Sequence, residues 1–201
     1  QGTTDLPTAW ASGPDVVFVT SPTGIHLAHA MEAVGRGCHV FVEKPLSNSF
    51  EGLMSLVEAV ESRRVVSMVG CNMRFHPGPA GVKRLLDGGA IGTVRSGRVF
   101  TGSYLPAWRP GTDHRESYSA SPEGGGAILD CIHEIDLALW YQGPGRLAFA
   151  AVRPATAIGL ETDGLAELII DHEDGPLSSV HLNLIERDHR RGCVCVADRG
   201  T

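Results

Sequence analysis

Glu43 and Lys44 directly follow three apolar residues, Val40 to Val42, and Pro45 comes next. The apolar run predicts a buried strand, so a charged pair at its end is unusual. An ammonium group held there with little solvent would stabilise negative charge on a substrate oxygen. Pro45 restrains the backbone of Lys44, and the bond between them is a candidate for the cis form. The alternative is a salt bridge from Glu43 to a neighbour, with Lys44 solvated.

Asp130 and His133 are spaced about one turn apart in a helix predicted over residues 127–141. A histidine beside a carboxylate is suited to act as a general base. The glycines at 124–126, just before this helix, would let a ligand approach the backbone. Two alternatives are a hydrogen-bonded core histidine and a zinc site in "HEID". The second lacks His-x-x-x-His spacing and a third ligand, so we expect no metal.

The same predicted helix has one apolar face and an excess of acids. The residues of that face are Ile128, Ile132, Ile135 and Leu139. The acids are Asp130, Glu134 and Asp136, and the helix contains no lysine or arginine. Burying unpaired acids costs several kcal/mol unless they are paired or hydrogen-bonded. We therefore expect a cation from elsewhere in the chain, with a lysine as the first candidate.

The first seventy residues alternate between strand and helix patterns. Apolar, β-branched runs predict strands buried on both faces at 15–20, 39–42 and 65–70. The first intervening helix is predicted from Leu27, Met31 and Val34, with Gly37 after its end. The second is predicted from Phe50, Leu53, Met54, Val57 and Val60, with Asn48 and Glu51 as a capping pair. The order β-α-β-α-β is typical of a parallel sheet covered by helices.

Polar residues or turn formers follow all three predicted strands. They are "TSPTG" after the first strand, Lys44 after the second and "CNMRF" after the third. In open parallel sheets, ligands bind at the carboxyl ends of the strands. The sequence therefore predicts a ligand site at this edge of the sheet, which His26 could also reach.

The pattern changes after about residue 72, where we expect a domain boundary. A short helix around Val82 is predicted to end at Gly88, and residues 104–126 look irregular. Four strand-like runs follow from about Leu147, two of them joined by the turn "HEDG". These patterns predict an α+β domain with a mostly antiparallel open sheet over residues 73–201.

Composition excludes several classes of protein. The chain has 201 residues and a net charge of −6 without a basic block, which argues against nucleic acid or an anionic membrane as partner. It has no apolar run near the roughly 18 residues that a membrane helix needs. Five cysteines without Cys-x-x-Cys spacing favour reduced thiols and a cytoplasmic location.

Four ordered motifs resemble the Gfo/Idh/MocA oxidoreductases, which include glucose-fructose oxidoreductase and inositol dehydrogenase. The motifs are "TSPTGIH", "HVFVEKPLS", "GCNMRFHP" and "GGGAILDCIHEIDLALW", and they cover roughly residues 15 to 142. The resemblance implies the C-terminal part of a Rossmann domain over 1–72, followed by a domain that binds substrate and mediates oligomers. It also implies hydride transfer between NAD or NADP and a hydroxyl-bearing carbon of a sugar or polyol.

The resemblance also implies roles for individual residues. Lys44, His133 and Asp130 match the catalytic positions, with His133 as proton acceptor and Asp130 as its orienter or a substrate ligand. The positions that match the cofactor-lining segments are Ser21, Pro22, Thr23, His26, Glu43, Lys44, Pro45, Asn72 and Arg74. Trp108 and Arg109 lie in a loop that would contact sugar hydroxyls, although a solvated loop is the alternative.

Two features depart from the family pattern. The helix carries Asp-x-x-His where Asp-x-x-x-His is common, and no Gly-x-Gly-x-x-Gly follows a strand in this chain. The resemblance thus implies a fragment whose phosphate-binding turn lies before residue 1. The family also contains a non-enzymatic co-regulator, so a sensing module is the alternative function. A scaffold that forms homo-oligomers through the tail sheet is a third.

Overall fold

The computed structural model describes residues 2–173 and 175–201. The chain divides into two compact units, Gln1–Gly70 and Cys71–Thr201. Each unit has its own hydrophobic core, and each is described by itself below.

The first unit contains a three-stranded parallel sheet, as the β-α-β-α-β pattern predicted. Its strands are β1 (Val16–Val19), β2 (His39–Val42) and β3 (Ser67–Val69), in the order β1-β2-β3. Its helices are α1 (Leu6–Ala11), α2 (His26–Gly35) and α3 (Leu53–Arg63). The register pairs Val16 with His39 and Val19 with Val42, so β1 and β2 end at the same level.

Three predictions for this unit are wrong: the burial of the strands on both faces, the capping pair of the second helix, and the face that this helix buries. Helices cover the sheet on one face only within the described residues, and on the other face Phe18 is 68% exposed. Helix α3 begins at Leu53 after Gly52, without a side-chain cap from Asn48. Its buried residue is Leu56, whereas Phe50, Met54 and Val57 are exposed. The helix buries the face that includes Leu56 and Val60. The predicted stripe of larger side chains lies on the neighbouring face of the helix.

The second unit contains a five-stranded sheet that is mostly antiparallel, as predicted. Its strands are β4 (Val94–Tyr104), β5 (Gly145–Pro154), β6 (Asp163–His172), β7 (Leu177–Asn183) and β8 (Ile185–Ala197). Their order is β5-β6-β7-β4-β8, and only the β4–β7 pair is parallel. Strands β6 and β7 pair as the predicted hairpin requires, although Asp174 of its turn lies outside the described residues.

Helices cover one face of this sheet. They are α4 (Pro77–Asp87), α5 (Ala127–Asp130) and α6 (Ile132–Gln142). Val180, Leu182 and Leu184 are fully buried in the core beneath them. The opposite face carries exposed apolar side chains, among them Phe149, Leu177 and Val194. The sheet is therefore open on that side.

The long helix predicted over 127–141 is interrupted at Cys131, which separates α5 from α6. The predicted apolar face is also wrong, because Leu139 is exposed. The most deeply buried residues of α6 recur at helical spacing on a different stripe: Glu134, Leu137, Ala138 and Tyr141. A buried acid stands in the middle of that stripe, so hydrophobic spacing alone selects the wrong face.

Strand β7 offers a matched test of this packing. Leu182 is 0% exposed, while Leu177 on the same strand is 48% exposed. We expect Leu182→Ala to lower the free energy of unfolding by about 2–5 kcal/mol, since it leaves a cavity in the core. Leu177→Ala should lower it clearly less, since nearly half of Leu177 is exposed within the chain. Urea unfolding of both variants measures the difference, and equal losses would contradict this arrangement of the sheet faces.

Candidate functional site

The carboxyl ends of β1, β2 and β3 lie at one edge of the first unit. The amide of Glu43 donates to the carbonyl of Val19 at 2.9 Å, and the amide of Gly70 donates to that of Val42 at 2.8 Å. These two bonds continue the ladder one step beyond the strands. The residues that follow, from Ser21 and from Glu43 onward, therefore emerge side by side, as the sequence predicted.

Gly70 makes room for the side chain of Glu43. A Cβ atom on Gly70 would lie 3.3 Å from Oε1 of Glu43 and 3.2 Å from the ring of Phe41. The other oxygen of Glu43, Oε2, accepts a hydrogen bond from the amide of Lys44 at 3.1 Å. Glu43 thus lies across the end of β3 and restrains the backbone of Lys44.

Lys44 is half-buried at the end of β2, and the following Pro45 is buried. The peptide bond between them is cis, the form for which the sequence marked it as a candidate. On the neighbouring loop, the hydroxyl of Ser21 is 3.1 Å from Nδ1 of His29, and Thr23 is buried. A cationic group and hydroxyl groups therefore share this edge of the unit.

His26 lies beneath the two loops and is 1% exposed. Its Nδ1 is 2.8 Å from the carbonyl oxygen of Pro45, and its Nε2 is 2.6 Å from that of Ser21. Both ring nitrogens are engaged inside the protein. The structure therefore gives His26 a contact between loops, whereas the sequence placed it among the cofactor-lining residues.

In the second unit, Asp130 ends α5 and His133 stands in the first turn of α6, on either side of the break at Cys131. His133 is 8% exposed and Asp130 is half-buried. The sequence had predicted one regular helix that carries both residues, and this prediction is wrong. Their spacing instead depends on the local backbone at Cys131.

The glycines before α5 are required by packing inside the protein. A Cβ atom on Gly126 would lie 2.1 Å from Oδ1 of Asp163, and Gly126 has a φ of 92°. Oδ2 of Asp163 accepts from the amide of Ile128 at 2.7 Å, which satisfies one of the amides at the start of α5. Gly125 packs on the carbonyl of Ser119 in the same way. These contacts place the glycines against the chain itself, whereas we had expected a ligand there.

Two acids of α6 pair with cations from elsewhere in the chain, and both cations are arginines. Arg191 on β8 donates to Glu134, which is 0% exposed, at 2.6 Å. Arg74 donates to Asp136 at 2.9 and 2.5 Å, and its guanidinium lies 5.6 Å from the ring of Trp140. The hydrogen bond to Asp136 raises the pKa of Arg74. The expected lysine is therefore replaced by arginine, which matches a carboxylate with two parallel donors.

Sequence reasoning missed the surroundings of Arg191. It lines a cavity of about 540 Å³ together with Glu134, Tyr141 and Cys193. A hydrogen bond with Cys195 is the main cause that lowers the pKa of the Cys193 thiol to about 7. The period-two pattern of "RGCVC" already places Arg191, Cys193 and Cys195 on one face of a strand. That pattern was the available signal.

Two further predictions concern the irregular segment and metals. Trp108 is partly exposed, and its indole N–H donates to the hydroxyl of Ser103 at 3.0 Å. Trp108 and Arg109 line a cavity of about 10 Å³, and Arg109 also lines one of about 370 Å³ together with Asp113 and Glu116. Within residues 2–173 and 175–201, no three His, Cys, Asp or Glu side chains are grouped to hold a metal ion. No helix in those ranges has the length and apolar character to span a membrane.

Two family profiles match the chain in sequence order. The one described as "Oxidoreductase family, NAD-binding Rossmann fold" (GFO_IDH_MocA) matches residues 3–71. The GFO/IDH/MocA C-terminal domain profile matches residues 80–201. The two matches adjoin the division between the compact units.

Curated and solved relatives agree with these profiles. Levoglucosan dehydrogenase of Pseudarthrobacter phenanthrenivorans is 34% identical over 131 residues, which are 64% of this chain and 33% of that protein. Inositol 2-dehydrogenase of Gluconacetobacter diazotrophicus is 39% identical over 131 residues, which are 63% and 35% of the two chains. The crystal structure of GenD2 from gentamicin A biosynthesis in complex with NAD has a TM-score of 0.83 at 28% identity and covers 98% of this chain and 56% of its own. The chain spans about a third of the length of the two curated relatives.

The Glu134–Arg191 pair gives a prediction that the sequence alone did not. Arg191→Ala leaves a fully buried carboxylate without its cation, so we expect unfolding free energy to fall by about 3–5 kcal/mol. The matched control is Arg190→Ala, since Arg190 pairs with Glu186 at 3.5 Å on the surface and should contribute about 1 kcal/mol or less. Adding Glu134→Gln to Arg191→Ala should restore part of the loss in urea unfolding. Equal effects of the two single variants would show that Glu134 does not depend on Arg191.

Proposed function

We propose, because this chain belongs to the GFO/IDH/MocA oxidoreductase family, that the protein containing it is an NAD(P)-dependent oxidoreductase. It transfers hydride to or from a hydroxyl-bearing carbon of a sugar, polyol or related small molecule. The observation that carries the proposal is Lys44, half-buried at the carboxyl end of β2 in the part matched by the NAD-binding profile. Ligands of open parallel sheets bind at such strand ends.

The residues at this edge fit part of a dinucleotide. Hydroxyl groups of Ser21 and Thr23 and the cationic Lys44 are groups that hydrogen-bond ribose and phosphate oxygens. We propose that the cofactor is held by Ser21, Pro22, Thr23, Glu43, Lys44 and Pro45 in the first unit, and by Asn72 and Arg74 at the start of the second. When bound, the nicotinamide ring of NAD or NADP accepts or returns a hydride.

The catalytic roles that we propose are those that the family resemblance implies, and the chemistry of the side chains supports them. His133 removes the proton of the substrate hydroxyl during oxidation, and Asp130 orients its ring or binds substrate. Lys44 stabilises the negative charge that develops on the oxygen. Trp108 and Arg109 contact the substrate. Lys44 belongs to the first unit, and the remaining residues belong to the second.

Three further points belong to this proposal: the choice of enzyme over sensor, the roles of the two domains, and the cellular location. The dehydrogenase names of the two curated relatives favour the enzyme over the non-catalytic sensing alternative. Residues 1–72 would be the C-terminal part of the dinucleotide-binding domain, and residues 73–201 would serve substrate binding and oligomerisation. A cytoplasmic location agrees with the five cysteines, none of which is disulfide-bonded in the described ranges.

The open sheet face of the second unit suits contact with a second copy of the chain. Phe149, Leu177 and Val194 expose apolar surface there. On this face Nδ1 of His181 lies 2.6 Å from Oε1 of Glu167, so this carboxylate has a polar partner if the face is covered. We therefore propose a homo-oligomer formed through this face.

Lys44 provides the test of the enzyme. In the complete gene product that contains these residues, Lys44→Ala should lower kcat at least about a hundredfold for the polyol or sugar that is turned over. NAD(P)H formation across a panel of polyols and sugars measures it, with circular dichroism to confirm folding. The control is Lys83→Ala, because Lys83 pairs with Asp87 on α4 and should leave kcat unchanged. An unchanged rate for Lys44→Ala would remove the proposed role.

A charge placed on the open sheet face tests the oligomer. Val194→Asp should shift the protein to a smaller species in sedimentation velocity, because a buried carboxylate would lack a partner. Phe50→Asp is the control, since Phe50 is almost fully exposed in the first unit and lies outside that face. A strictly monomeric parent protein, or equal effects of the two variants, would exclude this interface.

A further inference from the structure

His26 is the first residue of α2, and its ring joins two loops that the sheet ladder does not join. The backbone bonds between β1 and β2 end with the amide of Glu43 on the carbonyl of Val19. Beyond that point, the ring lies between the carbonyl oxygens of Ser21 at 2.6 Å and Pro45 at 2.8 Å. The side chain of His26 thus links the two loops beyond the point where backbone pairing stops.

The contact requires a side chain with a ring N–H, because a ring nitrogen that carries a proton donates to the carbonyl oxygen beside it and a neutral imidazole has one such nitrogen. Both partners are carbonyl oxygens, which only accept hydrogen bonds. A ring that is 1% exposed leaves no room for water to replace either bond. Phenylalanine has a similar shape but no N–H, so at this position it would donate no hydrogen bond to either carbonyl.

The loop that His26 holds carries Lys44. The carbonyl oxygen of Pro45, which directly follows Lys44, lies 2.8 Å from the ring, while Glu43 on the other side accepts from the amide of Lys44. Lys44 is thus held from both chain neighbours, on one side by a carboxylate and on the other by an imidazole. Any movement of the Pro45 carbonyl displaces the backbone of Lys44 with it.

We propose that His26 is a positioning residue that fixes the loop after β2 against the loop after β1 and thereby holds the ammonium group of Lys44 in place. Its importance for turnover rests on the proposed function of Lys44. Its effect on the position of Lys44 does not. His26 acts through the two loops and does not touch substrate or cofactor.

The experiment compares His26→Phe, His26→Gln and His39→Phe in the complete gene product. A misplacement of about 1 Å can cost a hundredfold, so we expect His26→Phe to lower kcat about tenfold to a hundredfold with little change in substrate KM. The amide nitrogen of glutamine carries two N–H groups, so His26→Gln should recover part of the loss. His39→Phe is the matched control, because His39 begins β2 at the opposite edge of the sheet, where its Nδ1 accepts from the amide of Val66 at 2.9 Å. It should leave kcat unchanged.

A second readout does not depend on activity. Acylation of Lys44, followed by mass spectrometry, should be faster in His26→Phe and His26→Gln than in the parent, while acylation of Lys83 stays the same. Should Lys44→Ala prove fully active, the proposed function fails, but the acylation rate still decides whether His26 holds Lys44. An unchanged or slower acylation of Lys44 in folded variants would overturn the inference.

A double-variant cycle separates this role from a general loss of structure. If His26 acts through Lys44, His26→Phe should cause little further loss of kcat in a Lys44→Ala background. A full additional loss in that background would show that His26 acts independently of Lys44, and would overturn the proposal.

Discussion

The in-register parallel pairing of β1, β2 and β3 is the constraint on which the candidate site depends. Because Val19 pairs with Val42 and Val42 with Val69, the three strands end at one level. Polar residues that are far apart in sequence, such as Ser21 and Lys44, then emerge at the same edge. A slip of one residue would also turn alternate side chains to the opposite face of the sheet, so the burial of Val40 and Val42 fixes the register.

Burial of charge is the corresponding constraint in the second unit. Glu134 occupies a core position of α6, which is costly unless the carboxylate is paired. Arg191 satisfies it from β8, and the pairing of Thr101 with Arg191 across β4 and β8 sets where that arginine stands. The sheet register therefore decides whether the helix can keep an acid in its buried stripe. Residues near it, including His133, depend on the same packing.

The sequence predicted the positions of β1 to β3 because continuous apolar runs favour strands, even though one face of this sheet is exposed at Phe18. It predicted where β2 ends because Glu43, Lys44 and Pro45 interrupt such a run. It failed on the faces of α3 and α6. Large side chains such as Phe50 and Leu139 dominate a periodicity argument, yet both are exposed, while the buried Glu134 is polar. It also failed on partners, because Arg191 is 57 residues from Glu134 and nothing local links them. The acceptors of His26 are backbone carbonyls, which every residue type carries, so residue identity does not reveal them.

A strand end that binds a ligand has two opposing requirements, and His26 shows how both can be met. Backbone pairing would hold the two loops together, but continued pairing would also close the edge where a ligand has to enter. Hydrogen bonds from a side chain beneath the loops avoid this, since they fix Ser21 and Pro45 without occupying the outer surface. Polar residues at such an edge therefore divide into those that face outward, such as the half-buried Lys44, and those that hold them from below. The exposed fraction of a side chain distinguishes these two groups. Residue type does not, because a histidine could either face a ligand or hold the loops from below.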